Sequence, residues 1–145
     1  DIDLIAITHQ HTDHFNEQIV SDHLLSNPTA MVLCPKQVGE ILSKNPSYEK
    51  FCYRIISLTP QPYSDTNVVV FDLSVRVLHL EHSQYMEEDS ASGTKINRHR
   101  NVENLGYLFK INGFTIFHCG DTNPLNVKEY STFSLNSYIK FQTLE

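Results

Sequence analysis

Short apolar runs alternate with amphipathic ones over the first sixty residues. Ile2 to Thr8 is apolar and β-branched, and it reads as a buried strand. "NEQIVSDHLLSN" follows with Ile19, Val20, Leu24 and Leu25 at helical spacing; Asn16 is placed to cap this helix, with Glu17 in its first turn. "AMVLCP" is a second short strand closed by Pro35. "KQVGEILSKN" reads as a second helix with Val38, Ile41 and Leu42 on one face, and "RIISLTP" as a third strand.

The pattern then becomes mainly β. "NVVVFDLSVRVLHLEH" predicts a hairpin or two successive strands with a break near Asp72. "LGYLFKI" and "FTIFHC" flank Asn112-Gly113, a pair that tolerates the positive φ of a tight turn. Between these segments, residues 84–104 read as a polar loop, long enough inside a compact domain to be functional or mobile. The tail "NVKEYSTFSLNSY" reads as a short helix and loop, and Leu144-Glu145 as a cloning remnant without functional weight. There is no repeat of fixed period. Strand–helix alternation followed by β structure predicts one layered α/β or α+β domain over residues 1–145.

Composition narrows the function classes. Forty per cent hydrophobic and 19% charged residues suit a globular domain. No apolar run approaches the roughly 20 residues of a membrane span. A formal charge of −6 lacks the basic face of a broad nucleic-acid footprint, so no nucleic-acid partner is expected. Cys34, Cys52 and Cys119 form no close pair and read as small buried residues; the odd count is compatible with a reducing, cytoplasmic compartment.

The chemistry concentrates in "THQHTDH", directly after the first strand. In an extended segment His9, His11 and Asp13 point one way and His14 the other; His14 can serve a second point if the chain turns into a helix there, so the spacing offers two adjacent sites. Imidazole nitrogen and carboxylate oxygen are zinc ligands, and four residues cannot complete two shells, so further ligands must come from elsewhere. With eight histidines and eight aspartates in 145 residues, H-x-H-x-D-H arises by chance in roughly one chain per thousand. His79 and His82, in "VLHLEHS", have opposite parity; His82 ends its strand and is favoured for the site, with His79 a strand residue satisfied by a local partner. His23 reads as a helix surface residue, His118 as a packed strand residue, and His99, in the basic patch "KINRHR", as part of a solvated loop.

"THQHTDH" resembles the T-H-x-H-x-D-H signature of the metallo-β-lactamase superfamily. "LEHS" and "GYLFKINGFTIFHCGDT" resemble its later motifs. The resemblance implies a four-layer αββα sandwich, here partial, with a dinuclear site of two divalent metal ions, zinc in the first instance. It implies that His9, His11 and His82 hold the first metal, that Asp13 and His14 hold the second, and that Asp121 bridges them. The family's further histidine has no counterpart after His118, and its opening strands have none before Asp1, so the chain reads as an internal portion of a longer protein with sheet edges free for a second copy to cover. The activity implied is hydrolysis of a small-molecule phosphoester, ester or lactone by a metal-bound hydroxide that Asp13 orients. His11 stands where the redox members with iron carry glutamate, and Thr12 where the transfer-RNA processing branch carries glycine. A non-catalytic metal-binding or scaffold domain and an iron redox protein are the alternatives.

Overall fold

A computed structural model describes residues 2–62 and 64–122. The helix expected in "NVKEYSTFSLNSY", and Leu144-Glu145, lie outside the described residues. Three short strands, β1 (Leu4–Ala6), β2 (Met31–Cys34) and β3 (Ile55–Ser57), form a parallel sheet in that order. The register pairs Ile5 with Val32 and Leu33 with Ile56. Helix α1 (Glu17–Ser26) links β1 to β2, and α2 (Lys36–Leu42) with two 3-10 turns links β2 to β3. Such crossovers are what parallel pairing requires.

The second sheet is antiparallel, with four strands in the order β4 (Asp65–Val70), β5 (Leu73–Glu81), β8 (Glu103–Ile111), β9 (Phe114–His118). The break near Asp72 is a tight turn with Phe71 at φ 54°, and Asn112-Gly113 turns β8 into β9 with φ of 51° and 82°. Both φ values are positive, as a two-residue hairpin turn demands.

Alternation along β2 distributes its side chains between two cores. Val32 and Cys34 join Val20, Leu24, Val38, Leu42 and Phe51 beneath the helices. Leu33 faces the other way, onto Val75, Val77, Leu105 and Tyr107 of the antiparallel sheet. The described residues therefore stack as helices, parallel sheet and antiparallel sheet, an α/β sandwich as expected; the fourth layer of an αββα arrangement is not among them. Tyr107 ties the two sheets, its hydroxyl donating to the Ile7 carbonyl at 2.6 Å at the end of β1. Burial of that hydroxyl pushes its pKa well up.

Asn16 caps α1 as expected, its side-chain oxygen accepting from the Ile19 N–H at 3.1 Å. The apolar stripe of α1 is narrower than the spacing suggests. Val20 and Leu24 are buried, whereas Ile19 and Leu25 are 67% and 44% exposed. A turn of 100° per residue carries each of them off the edge of a two-residue stripe.

Residues 84–104 are not simply a loop. Met86–Glu88 (β6) pairs with Lys95–Asn97 (β7) as a separate antiparallel hairpin. Its faces are mostly solvated, so no hydrophobic alternation announces it. The tip is held locally: the Asp89 side chain accepts from the Ala91 N–H at 3.0 Å and from the Ser92 hydroxyl at 3.1 Å.

Candidate metal centre

The site lies where the ends of β1, β5 and β9 converge. Strand β1 stops at Ala6, and the chain turns soon after Thr8. The N–H groups of His14 and Phe15 both donate to the His11 carbonyl, at 3.0 and 2.8 Å. Phe15, 6% exposed, anchors this turn in the helix-side core. The parity argument for residues 9–14 is therefore corrected: the segment is a turn, not an extended strand, and its curvature does the sorting. Two groupings result, His9–His11–His82 and His9–Asp13–His14, with potential ligand atoms in each within 4.8 Å of one another.

His9 and His82 are buried, and among the described residues the Nε2 of each has no hydrogen-bond partner. The Nδ1 atoms are occupied. That of His9 lies 3.0 Å from the Thr8 hydroxyl, and that of His82 lies 2.9 Å from the Ser83 carbonyl. A carbonyl can only accept, so His82 carries its proton on Nδ1 and presents a lone pair on Nε2.

Asp121 closes the site from the far end of the chain. Its Oδ1 is 3.0 Å from His14 Nε2, and its Oδ2 is 3.6 Å from His82 Nε2 and 3.9 Å from His9 Nε2. One oxygen thus faces each side of the cluster. The two longer distances are too long for hydrogen bonds. They are close to the roughly 3.4 Å that separates two ligands each about 2.1 Å from a tetrahedral ion. Two orphaned buried imidazole nitrogens opposite a carboxylate therefore fit a divalent cation.

Electrostatics point the same way. Burial, then the neighbouring His14 and His82, lowers the His9 pKa from 6.5 to about 4. Burial is also the first cause of the lowered values of His11 and His82. The imidazoles are therefore neutral at pH 7, which is the ligating form. Asp13 is 75% exposed and sits on the solvent side, 3.8 Å from His14.

A close-packed shell fixes the two arms. Gly120, at φ +58°, has no space for a Cβ, which would fall 2.4 Å from Asn104 Oδ1 and 2.8 Å from Thr8 Cβ. The buried Asn104 donates through Nδ2 to the Thr122 hydroxyl at 2.6 Å and to the Cys119 carbonyl at 3.3 Å, on either side of Asp121. The Leu105 N–H donates to the Thr8 carbonyl at 2.8 Å. Strand β8 thus holds both the start of the histidine turn and the Asp121 loop.

The remaining histidines sort clearly. His79 is engaged elsewhere, its Nδ1 donating to the Pro60 carbonyl at 2.8 Å, and it belongs to neither grouping. His23 sits on α1 with its Nε2 2.8 Å from the Ile2 carbonyl. His118, expected to be packed, is exposed at the end of β9. His99 departs most from expectation. It is no solvated loop residue but half-buried, its ring centroid 4.3 Å from that of His82 and 4.8 Å from that of His11. Cys34, Cys52 and Cys119 are all free thiols; only Cys34 is fully buried, and burial pushes its pKa up to about 12. Among the described residues no helix is long and apolar enough to cross a membrane.

A family model described as "Beta-lactamase superfamily domain" matches residues 1–133. A "UPF0173 metal-dependent hydrolase" of Polynucleobacter asymbioticus is 26% identical over 133 residues, covering 83% of this chain and 40% of that protein. The chain thus spans well under half the length of the curated relative it matches.

Proposed function

The chain belongs to the β-lactamase superfamily, and from that premise we propose that it carries the metal centre of a metal-dependent hydrolase acting on a small-molecule phosphoester, ester or lactone. The observation that carries this reading is the pair of buried Nε2 atoms of His9 and His82, unpartnered among the described residues and set around a carboxylate too distant to hydrogen-bond them. The relative's description as a metal-dependent hydrolase supports the same class.

His9, His11 and His82 would hold one ion. His9 would contribute to that ion alone, because its Nδ1 is engaged by Thr8 and a single nitrogen remains. Asp13 and His14 would hold a second, and Asp121, whose two oxygens face different sides of the cluster, would serve both. Divalent ions bound there, zinc being the best match to nitrogen and oxygen donors, supply Lewis acidity that lowers the pKa of water and polarises the oxygen under attack. The protein's own part is to keep the imidazoles neutral, to engage the His9 Nδ1 through Thr8, to fix the His82 tautomer through the Ser83 carbonyl, and to place Asp13 at the solvent side, where its carboxylate would accept a hydrogen bond from the attacking nucleophile and orient it.

The test is elemental analysis of the intact protein with turnover on phosphodiesters, lactones and thioesters. We expect about two divalent ions per chain. We also expect Asp13→Ala to keep its fold while losing turnover by about 100-fold or more. Metal bound without turnover on any panel member would favour a binding or scaffold domain. Iron bound together with oxidase or reductase activity would favour a redox protein.

A further inference from the structure

We propose that His99 is a positioning residue for His82, and that the two imidazoles are locked together by the carbonyl oxygen of Ser83. This inference rests on the reading of His82 as a metal ligand and extends it to a residue from outside the three motifs. His82 Nδ1 and His99 Nδ1 both reach the Ser83 oxygen, at 2.9 and 3.0 Å. That oxygen has two lone pairs and no proton, so both imidazoles must donate to it and both are held as the Nδ1–H tautomer. The His99 ring also packs against the His82 ring, with 4.3 Å between centroids and an interplanar angle of 75°, and lies 4.8 Å from the His11 ring. It therefore restricts rotation of two of the three imidazoles in the first grouping.

The same residue also reaches the Asp121 loop. The Ser83 N–H donates to the Asp121 carbonyl at 2.7 Å. One residue thus couples the end of β5, the loop after β7 and the Asp121 loop. His99 is itself fixed to the hairpin: its N–H donates to the Asn97 side chain at 3.1 Å, which also accepts from the Tyr85 N–H at 3.0 Å. The role of the β6–β7 hairpin is then to deliver His99. Partners of a ligating histidine beyond the metal typically change metal affinity by about 10–100-fold when removed.

Two variants separate positioning from ligation. His99→Phe keeps a ring against His82 but cannot donate to Ser83. His99→Asn places an amide N–H near the position of Nδ1 and can donate. Zinc affinity is read by chelator competition, and the His82 tautomer by long-range nitrogen–proton correlation spectra of the metal-free protein. The expected result is that His99→Phe, by leaving the Ser83 carbonyl without its second donor and free to turn from His82, weakens zinc by about 10-fold or more and mixes the His82 tautomers, while His99→Asn stays within about threefold of the parent with His82 still protonated on Nδ1. His99→Leu replaces the Phe variant should that variant fail to fold. An unchanged tautomer and affinity in His99→Phe would overturn the proposal. So would a His99→Asn variant as weak as His99→Phe, because the imidazole itself would then be the ligand. His82→Ala is the control for the underlying reading: zinc bound normally by that variant would sink His82 as a ligand, whereas the tautomer measurement would still report on His99.

Discussion

Gly120 allows a sharp test of how the site is held, because the structure supplies its own control at Gly113. Both residues have positive φ, +58° and +82°. Alanine at either position carries the left-handed penalty of about 1–2 kcal/mol. At Gly113 a Cβ would meet nothing within 4 Å among the described residues, so that penalty is the whole effect. At Gly120 it would lie 2.4 Å from Asn104 Oδ1, 2.8 Å from Thr8 Cβ and 3.0 Å from Thr8 Oγ1. Neither neighbour can move freely, since Asn104 is fully buried and Thr8 nearly so. Overpacking of this kind adds about 1–3 kcal/mol. Gly120→Ala should therefore cost about 2–5 kcal/mol and Gly113→Ala about 1–2 kcal/mol. The displaced atoms are those that orient His9 and bracket Asp121, so zinc affinity should fall by about 10–100-fold in Gly120→Ala only. Urea unfolding of the metal-free proteins and chelator competition measure the two quantities. Equal stability losses for the two variants, or parental zinc affinity in Gly120→Ala, would refute the close-packed shell.

Three further outcomes follow from particular contacts. His82→Ala should lose metal and His79→Ala should not, because the His79 Nδ1 is engaged by the Pro60 carbonyl; elemental analysis of the two proteins checks it, and the reverse result would exchange their assignments. The metal-free protein should be at full His9-linked stability above about pH 6.5 and lose it as the pH falls toward about 4. The sign follows because the unfolded chain takes up the proton first; urea midpoints at pH 7.5 and 5 should differ less in His9→Asn than in the parent, and equal differences would contradict it. Arg54, 6% exposed, donates to the carbonyls of Leu24, Asn27 and Ala30 around the end of α1, so Arg54→Met should cost about 2–4 kcal/mol by urea unfolding; a loss below about 1 kcal/mol would show those carbonyls satisfied otherwise.

What could be read from the chain depended on whether burial left a period in it. The parallel strands and the β5 and β8 segments are apolar because they face one core or two, and their positions are plain in the residue pattern; β9 is as plain, although Phe114 and Ile116 are 73% and 51% exposed. Asn112-Gly113 announced its turn because few residue pairs accept two positive φ values. The β6–β7 hairpin buries little, so no alternation was selected for, and its residues look like a loop. Arg54 was equally silent: its partners are carbonyl oxygens, which every residue carries.

The same distinction runs through the site itself. His9, His11, Asp13 and His14 stand out because four ligand-type side chains in six residues are improbable by chance, although parity was the wrong reason for their division into two groups. The turn held by the His11 carbonyl brings His14 and Asp13 round, and a strand would have sent them to opposite faces. His82 could be preferred over His79 because a ligand at a strand end can project beyond the sheet, whereas His79 lies inside β5 with its register fixed opposite Leu105. His99 left no comparable trace. It meets the site through a peptide oxygen, and one carbonyl has the same sequence signature as any other. Residues that act through the backbone of a ligand's neighbour are therefore found only once the fold has placed them, and in this chain the long polar segment was where such a residue lay.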